Sequence, residues 1–338
     1  MILVTGSTGL LGSHVVCEMV AHGHQVRAMY RSENRKSVVE RLMQFYYPDR
    51  ADELLKQIEW VSGDVLDLID LADAIRGCEK VIHCAALVSF HRRDFWRLFE
   101  TNRKGTANVV NVALELGVQQ LVYISSTAAV GSDTTYTDHI RRESNHWNAN
   151  EKVSGYSLSK YSAEKEVWRG IEEGLPAAIV NPSIMLGPGS WDESSLKIMR
   201  TLQNGLSYYT PGGNAFVDVR DVTLIIRKLV ETNASGERYL VTGASLSFKE
   251  LFDKICAQLQ MKAPSKLAGK FLVGLAWRLA GLGARFTGKR PTMTKESAES
   301  SQKTRVYSNE KVLAAFPDFA FTPLEETIAM TIKGRMDY

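Results

Sequence analysis

The sequence predicts an α/β fold: a doubly wound parallel sheet that carries a smaller mixed α/β lobe. Three observations predict it. Short runs that are apolar throughout, not alternating, mark strands buried on both faces. Helical patterns separate each run from the next, the rhythm of strand–helix–strand crossovers. After Pro182 the rhythm breaks into turn-rich sequence, "GPGSW" and "TPGGNAF", which marks the start of a second unit.

The elements follow in order. "ILVTG" (2–6) reads as the first strand and precedes a helical stretch from about 10 to 22. "QVRAMY" (25–30) is the next strand, and "IEWVSGD" (58–64) follows a charged helical segment. "KVIHCAA" (80–86) follows a helical pattern around 67–76, and "QLVYISS" (120–126) follows a long helix over 99–116. "AAIVNPS" (177–183) follows a helix over 153–172. Beyond the turn-rich segment, "AFVDVRDV" (215–222), a helical stretch and "RYLVTG" (238–243) read as a return to the first unit. Segments 244–285 and 309–335 read as helices of the smaller lobe. The expected division is therefore 1–182, completed by about 214–243, against 183–213 and 244–338. No repeat or low-complexity linker separates the units. They should share an interface, with a cleft at the carboxyl ends of the strands.

Bulk properties narrow the class. A chain of 338 residues has room for two domains, or for one with a lobe attached. A net charge of +3 with no block of like charge argues against a nucleic-acid or anionic-membrane partner. Cys17, Cys78, Cys84 and Cys256 are scattered without metal-ligand spacing, so no metal is expected and each should pack as a small apolar group in a reducing compartment. The opening residues read as a buried strand and not as a leader, so a cytoplasmic location is expected. "FLVGLAWRLAGLGARF" (271–286) is interrupted by Arg278 and three glycines. It is too short to span about 30 Å of hydrocarbon. A packed helix is the first reading of it, and surface contact with lipid or an apolar ligand the second.

"VTGSTGLLGSH" places Gly6, Gly9 and Gly12 between the first strand and its helix. Gly6 permits a tight turn, Gly9 lets backbone approach a pyrophosphate, and Gly12 lets the helix lie close to the strand. The unpaired N–H groups and the dipole at the helix start favour a bound phosphate. The pattern predicts a dinucleotide site. An acidic residue ending the second strand would hold an adenosine 2′-hydroxyl. Here Tyr30 and Arg31 stand there, with Arg35 and Lys36 nearby, and an arginine can hold a 2′-phosphate bidentately. NADP(H) is therefore favoured over NAD(H), although a solvated basic loop has the same composition. Asp64 and the Val65 N–H can meet the adenine, and Ala85 and Ala86 leave room for the cofactor beside the fourth strand.

"GYSLSKYSAEKEV" (155–167) holds two tyrosine–lysine pairs of equal spacing, Tyr156–Lys160 and Tyr161–Lys165. Winding 153–172 as a helix gathers Val153, Val167 and Ile171 on one face, flanked by Tyr156, Ala163 and Trp168, with Lys160 among them. Lys165 falls on the polar face with Ser162, Glu166 and Arg169. An inward ammonium needs a partner, and Glu164 can offset part of its charge. A cation beside Tyr156 should bring the phenol toward working pH as a proton donor or acceptor. Ser125, Ser126 and Thr127 end the fifth strand at the same sheet edge, where hydroxyls can hold a substrate oxygen.

"TGSTGLLG", "YISSTAAVG", "YSLSK" and "NPSIMLGPG", in that order, resemble the extended short-chain dehydrogenase/reductase family over essentially the whole chain, and within it the dihydroflavonol 4-reductase-like branch. The resemblance implies a Rossmann sheet with a substrate lobe and a catalytic set of Thr127, Tyr156 and Lys160. It implies a cofactor cradle of Gly6, Thr8, Gly9, Leu10, Leu11 and Gly12, continued by Arg31, Asp64, Val65, Ala85, Ala86 and Ser125. Tyr156 and Lys160 would reach the nicotinamide ribose, and Pro182 and Ser183 the nicotinamide. It also implies a homodimer built on helices at about 99–116 and 153–172. Thr127 replaces the more usual serine and keeps the hydroxyl. Asn181 stands where many sugar-acting members have arginine, and "AAVG" replaces the Asp-Glu pair of the dehydratases.

The expected activity is NADP(H)-dependent interconversion of a ketone or aldehyde and an alcohol, on a small-molecule substrate. An alternative is a nucleotide-sugar epimerase with bound NAD, which needs a diphosphate clamp from residues such as Arg220, Arg278 and Arg285. A non-catalytic NAD(P)H sensor is a third reading, opposed by the complete Thr127, Tyr156, Lys160 set. Phe90, Met185, Trp191, Tyr208 and Phe216 are candidate pocket walls.

Overall fold

The computed structural model describes residues 1–132, 138–148, 151–287, 290–291 and 293–336. Seven strands form the main sheet: β1 Ile2–Thr5, β2 Val26–Tyr30, β3 Ile58–Ser62, β4 Lys80–His83, β5 Gln120–Ile124, β6 Ala177–Pro182 and β7 Glu237–Val241. All neighbours pair in parallel, in the order β7-β6-β5-β4-β1-β2-β3. The order reverses between β1 and β4, so the crevice of the sheet opens at Thr5 and His83, which face each other in register.

Alternation along each strand explains why the runs are apolar throughout. Val4, Ala28, Ile82, Val122 and Val180 face helices Leu10–Ala21, Ser37–Tyr46 and Val219–Glu231. Leu3, Met29, Val81, Leu121 and Ile179 face helices Leu68–Ile75, Gly105–Glu115 and Gly155–Glu172. Each fully buried aliphatic side chain contributes about 1.5–3 kcal/mol, and neither face is left to water. Local signals set the helix starts. Asp67 accepts from the N–H groups of Ile69 and Asp70, Asp218 from that of Arg220, and Ser154 from that of Ser157. The expected long helix runs through Phe95–Leu98, a π-turn at Phe99–Lys104 and Gly105–Glu115.

The second unit differs from expectation at two places. Strand Gly213–Asp218, read as part of the first unit, lies in a separate three-stranded sheet. It runs parallel to Ile184–Leu186 and antiparallel to Ala244–Ser247. Its opening glycine permits this: a Cβ on Gly213 would lie 2.7 Å from the Leu246 carbonyl oxygen. The helix and strand that follow do return to the large sheet. Conversely, helix Glu310–Ala315, read as part of the lobe, packs Val312 into the large core, and Asn309 Nδ2 donates to the Thr242 carbonyl at 2.9 Å. The lobe has its own core of Leu196, Met199, Phe216, Leu251, Ile255 and Ile328. All four cysteines are free thiols.

Candidate active site

The glycine loop is shaped by contacts that leave no choice of residue at two positions. Gly6 has φ +64°, and a Cβ there would sit 2.6 Å from the Ala85 nitrogen. A Cβ on Gly12 would overlap the Gly6 carbonyl oxygen. Gly9 is different: its Cβ would meet only the Gly6 oxygen, at 3.4 Å, and its other side is open. Gly9 N–H closes the turn onto the Gly6 carbonyl at 3.0 Å, and Ser7 Oγ ties the loop to the Met29 carbonyl at 2.8 Å. Leu10 and Leu11 turn their side chains into the two cores, while the N–H groups opening their helix have no intrahelical acceptor. Open space against a helix amino terminus fits a diphosphate.

The cations after β2 are not equivalent. Arg31 Nη1 lies 3.6 Å from Asp64 Oδ2, and the arginine is largely exposed. Asp64 Oδ1 accepts from the Leu66 N–H at 3.0 Å. Arg35 is committed elsewhere: it pairs with Glu193 of the second lobe and donates to the Thr8 carbonyl at 3.1 Å. Lys36 lies 2.6 Å from Glu33 and 4.1 Å above the Tyr30 ring. Of the three, Arg31 alone stands beside Asp64. Val65 is buried and its carbonyl accepts from Asn108 Nδ2 at 3.0 Å, while Ala85 N–H reaches Thr5 Oγ1 at 3.3 Å and Ala86 is exposed.

Helix Gly155–Glu172 presents Tyr156 in its first turn and Lys160 in its second. Lys160 is 1% exposed. Its Nζ donates to the Ile124 carbonyl at 2.7 Å and lies 4.6 Å from the Tyr123 ring. Burial lowers its pKa to about 7, with Glu164 holding it up in part. Glu164 is buried beneath and accepts from Ser125 Oγ (2.8 Å), Asn181 Nδ2 (2.9 Å) and Arg238 Nη1 (2.8 Å). Burial raises the Tyr156 pKa, and a hydrogen bond with the Ser126 side chain pulls it back in part. The lowering expected from Lys160 is therefore not the net effect. The ammonium is itself disfavoured by burial and is directed at a backbone carbonyl.

The second tyrosine–lysine pair lies apart from the site. Lys165 is exposed, and Tyr161 stacks on Trp147 with ring centroids 4.1 Å apart. Val153, expected on the inward face, precedes the helix and is exposed.

Thr127 is buried and opens a single 3₁₀ turn, Thr127–Ala129, capped by Ser126 Oγ, which accepts from the Ala128 N–H at 3.1 Å. The Ser125 hydroxyl points to Glu164, away from the other two. Pro182 ends β6, and Ser183 N–H donates to the Val241 carbonyl at 3.1 Å. Ser183 Oγ is buried with no hydrogen-bond partner. Such an orphaned hydroxyl beside the expected nicotinamide position fits a cofactor amide or ribose.

Two residues were not singled out from the sequence. His83 bridges Thr5 Oγ1 (2.7 Å) and Thr106 Oγ1 (3.1 Å) at the crevice, and burial lowers its pKa to about 3, so it is a neutral strut. Asn102, on the π-turn, accepts from the Leu87 N–H at 2.7 Å, and its Nδ2 contacts the Leu87 carbonyl and Ser159 Oγ, each at 2.9 Å. It holds the loop after β4 against the helix of Tyr156. A π-turn has no clear periodic signature, so only a lone polar residue in a helical pattern hinted at it.

Of the candidate walls, Phe90 lies beside the site, its ring 5.8 Å from that of Tyr156. Trp191 and Phe216 are core of the second lobe. The arginines considered for a diphosphate clamp do not converge. Arg220 is held by Asp218 at 2.7 Å and Glu326 at 3.2 Å, and Arg278 lies back along its own helix, donating to the Gly274 carbonyl at 2.8 Å.

Comparison with known proteins agrees with this arrangement. Residues 2–242 match the NAD dependent epimerase/dehydratase family. A Synechocystis sp. protein bearing the name dihydroflavonol 4-reductase is 29% identical over 92% of this chain and 87% of its own. Cinnamoyl-CoA reductase 1 of Oryza sativa subsp. japonica is 29% identical over 90% and 91%. The crystal structure of gox2253 superposes with a TM-score of 0.80 at 29% identity, covering 99% of this chain and 97% of that one. With a glycine loop at the crevice and a Tyr156–Lys160 pair across from it, the chain belongs to the NAD dependent epimerase/dehydratase family and is an NAD(P)-dependent oxidoreductase of the extended short-chain dehydrogenase/reductase type, in its dihydroflavonol 4-reductase-like branch.

Proposed function

We propose that the chain is an NADP(H)-dependent carbonyl reductase whose catalytic residues are Thr127, Tyr156 and Lys160. The observation that carries this reading is the placement of Tyr156 in the first turn of its helix with the buried Lys160 one turn on, its Nζ donating to the Ile124 carbonyl at 2.7 Å. Names among the relatives support reduction, since a cinnamoyl-CoA reductase aligns over nine-tenths of the chain. A nicotinamide cofactor, when bound, supplies the hydride. Gly6, Thr8, Gly9, Leu10, Leu11 and Gly12 would hold its diphosphate, Asp64, Val65, Ala85 and Ala86 its adenosine half, and Ser125, Pro182 and Ser183 its nicotinamide end. Arg31 would favour a 2′-phosphate.

Tyr156 gives its proton to the carbonyl oxygen. The raised pKa keeps the phenol protonated at working pH, which suits a donor in the reductive direction. Thr127, with Ser126, holds the same oxygen by hydrogen bonds. Lys160 would hold the ribose of the bound cofactor and would stabilise the phenolate left after proton transfer. Phe90 gives the cleft an apolar wall, in keeping with an apolar or mixed ketone or aldehyde. The reading includes a homodimer through the helices at about 99–116 and 153–172 and a cytoplasmic location, supported by the family resemblance and the free cysteines.

The test is NADPH consumption by the purified protein against a panel of ketones, aldehydes and nucleotide sugars, beside Tyr156→Phe. Turnover in the variant should fall by about 10²–10⁴-fold with NADPH binding retained. Full activity in the variant contradicts the assignment.

A further inference from the structure

Helix Lys270–Thr287 turns its apolar side outward. Phe271 is 87% exposed, Leu275 44%, Leu279 57% and Leu282 55%. At the helical repeat these four lie within one narrow stripe. The opposite face is the packed one: Val273 is buried against Ala268 and Ala298, with Trp277 and Met293 beside it. The first reading of this segment, a packed helix, therefore holds for the face of Val273 and Trp277 and fails for the face of Phe271, Leu275, Leu279 and Leu282.

Charge is segregated to the same place. Nine of the chain's 41 basic residues, and none of its 38 acidic ones, lie between Asp253 and Glu296. A chain of net charge +3 is thus acidic outside this segment, and the whole-chain value conceals a cationic patch. Arg278 and Arg285 flank the apolar stripe on one edge, both exposed. Among the described residues no helix is long and apolar enough to cross a membrane. An exposed apolar stripe edged by cations is the pattern of a helix that lies in a bilayer surface.

We propose that the outward face of helix Lys270–Thr287 docks on an anionic lipid surface. A second copy of the chain fits the face less well. A two-fold pairing through the stripe would set Arg278 and Arg285 near their own copies, with no carboxylate in the segment to offset them. Docking would also orient the candidate active site. The segment following the helix is tied to the cleft rim, where Arg290 pairs with Asp94 at 3.0 Å and Glu296 accepts from the Gly155 N–H at 3.2 Å. The lipid surface would then lie beside the mouth of the cleft.

The proposal concerns binding alone and does not depend on the reductase reading. The test is flotation of the full chain with vesicles of equal parts phosphatidylcholine and phosphatidylglycerol, against phosphatidylcholine alone. The protein should float with the anionic vesicles, less with the neutral ones, and less at high salt. Leu275→Ser/Leu279→Ser and Arg278→Glu/Arg285→Glu should each lower the partition coefficient by about tenfold or more. Both variants alter exposed side chains, and unchanged thermal melting checks that they fold. Arg278→Lys/Arg285→Lys should retain binding. Failure of the wild-type chain to float, or flotation of both variants equal to that of the wild-type chain, overturns the proposal. A dimer in light scattering that Leu275→Ser/Leu279→Ser converts to monomer, with no vesicle binding, assigns the face to a second copy and also overturns it.

Discussion

Lys160 shows how one buried cation constrains chemistry. Its pKa near 7 means that the ammonium is lost as pH rises through neutrality in the free enzyme. In the proposed mechanism, stabilisation of a developing phenolate at Tyr156 requires the charged form. The kcat/KM for carbonyl reduction should therefore decline above about pH 7, a profile that reports groups of the free enzyme. Glu164 raises the Lys160 pKa, so Glu164→Gln should move the inflection to lower pH. A pH profile of kcat/KM for both forms checks it, and an unmoved inflection would detach Glu164 from Lys160. Arg31 makes a separate prediction. Arg31→Ala should weaken NADPH by about tenfold or more and NADH far less, measured by fluorescence titration of both cofactors. An unchanged ratio would contradict the proposed selection of NADP(H) by Arg31.

At the scale of the element, the glycine loop separates folding from binding. Gly12 packs its helix against the Gly6 carbonyl, so Gly12→Ala must displace backbone. It should destabilise the protein by about 2 kcal/mol or more, read as a lower midpoint in urea. Gly9 has ordinary contact distance on one side and open space on the other. Gly9→Ala should change stability by within about 0.5 kcal/mol while weakening dinucleotide binding, because the methyl group occupies the space of the diphosphate. Equal losses of stability in the two variants would contradict this division. The π-turn works similarly for Asn102: the wider turn carries its amide to both polar groups of Leu87, so the helix and the loop after β4 move as one piece.

Across the whole molecule, the same buried lysine couples stability to pH. Unfolded, Lys160 titrates near the ordinary lysine value of 10.5; folded, near 7. Between those values the unfolded chain binds more protons than the folded one. This group's contribution therefore makes stability rise with pH across that window, and the cost of the buried charge is fully present below it. Tyr156 acts oppositely above about pH 10, because its raised pKa keeps a proton that the unfolded chain releases. Denaturant melts from pH 7 to about pH 8.5, below the range in which the unfolded thiols release protons that buried Cys17 and Cys84 keep, should show the rise, and Lys160→Met should flatten it. The lobes are joined across the cleft by Arg35 with Glu193, a part-exposed pair that contributes about 1 kcal/mol at most.

The large sheet, its glycine loop and the choice of Tyr156–Lys160 over Tyr161–Lys165 were legible in the amino-acid sequence, because each rests on local periodicity. Seven parallel runs, the central ones buried on both faces, have few arrangements available. An inward lysine stands out in a helical wheel whatever surrounds it. Other features depend on residues far apart in the chain. The neutral His83 strut needs Thr5 and Thr106, and the Glu164 anion is held by Ser125, Asn181 and Arg238. Strand Gly213–Asp218 is apolar like its predecessors, yet its partners are chosen by register and not by composition. The sign of the Tyr156 shift followed from the desolvation of the phenol by its neighbours. The outward face of helix Lys270–Thr287 followed from which side its neighbours occupy. Periodicity determined the elements and which of the two lysines turns inward; burial and partnership, which are properties of space, decided their charge states and the surface they leave exposed.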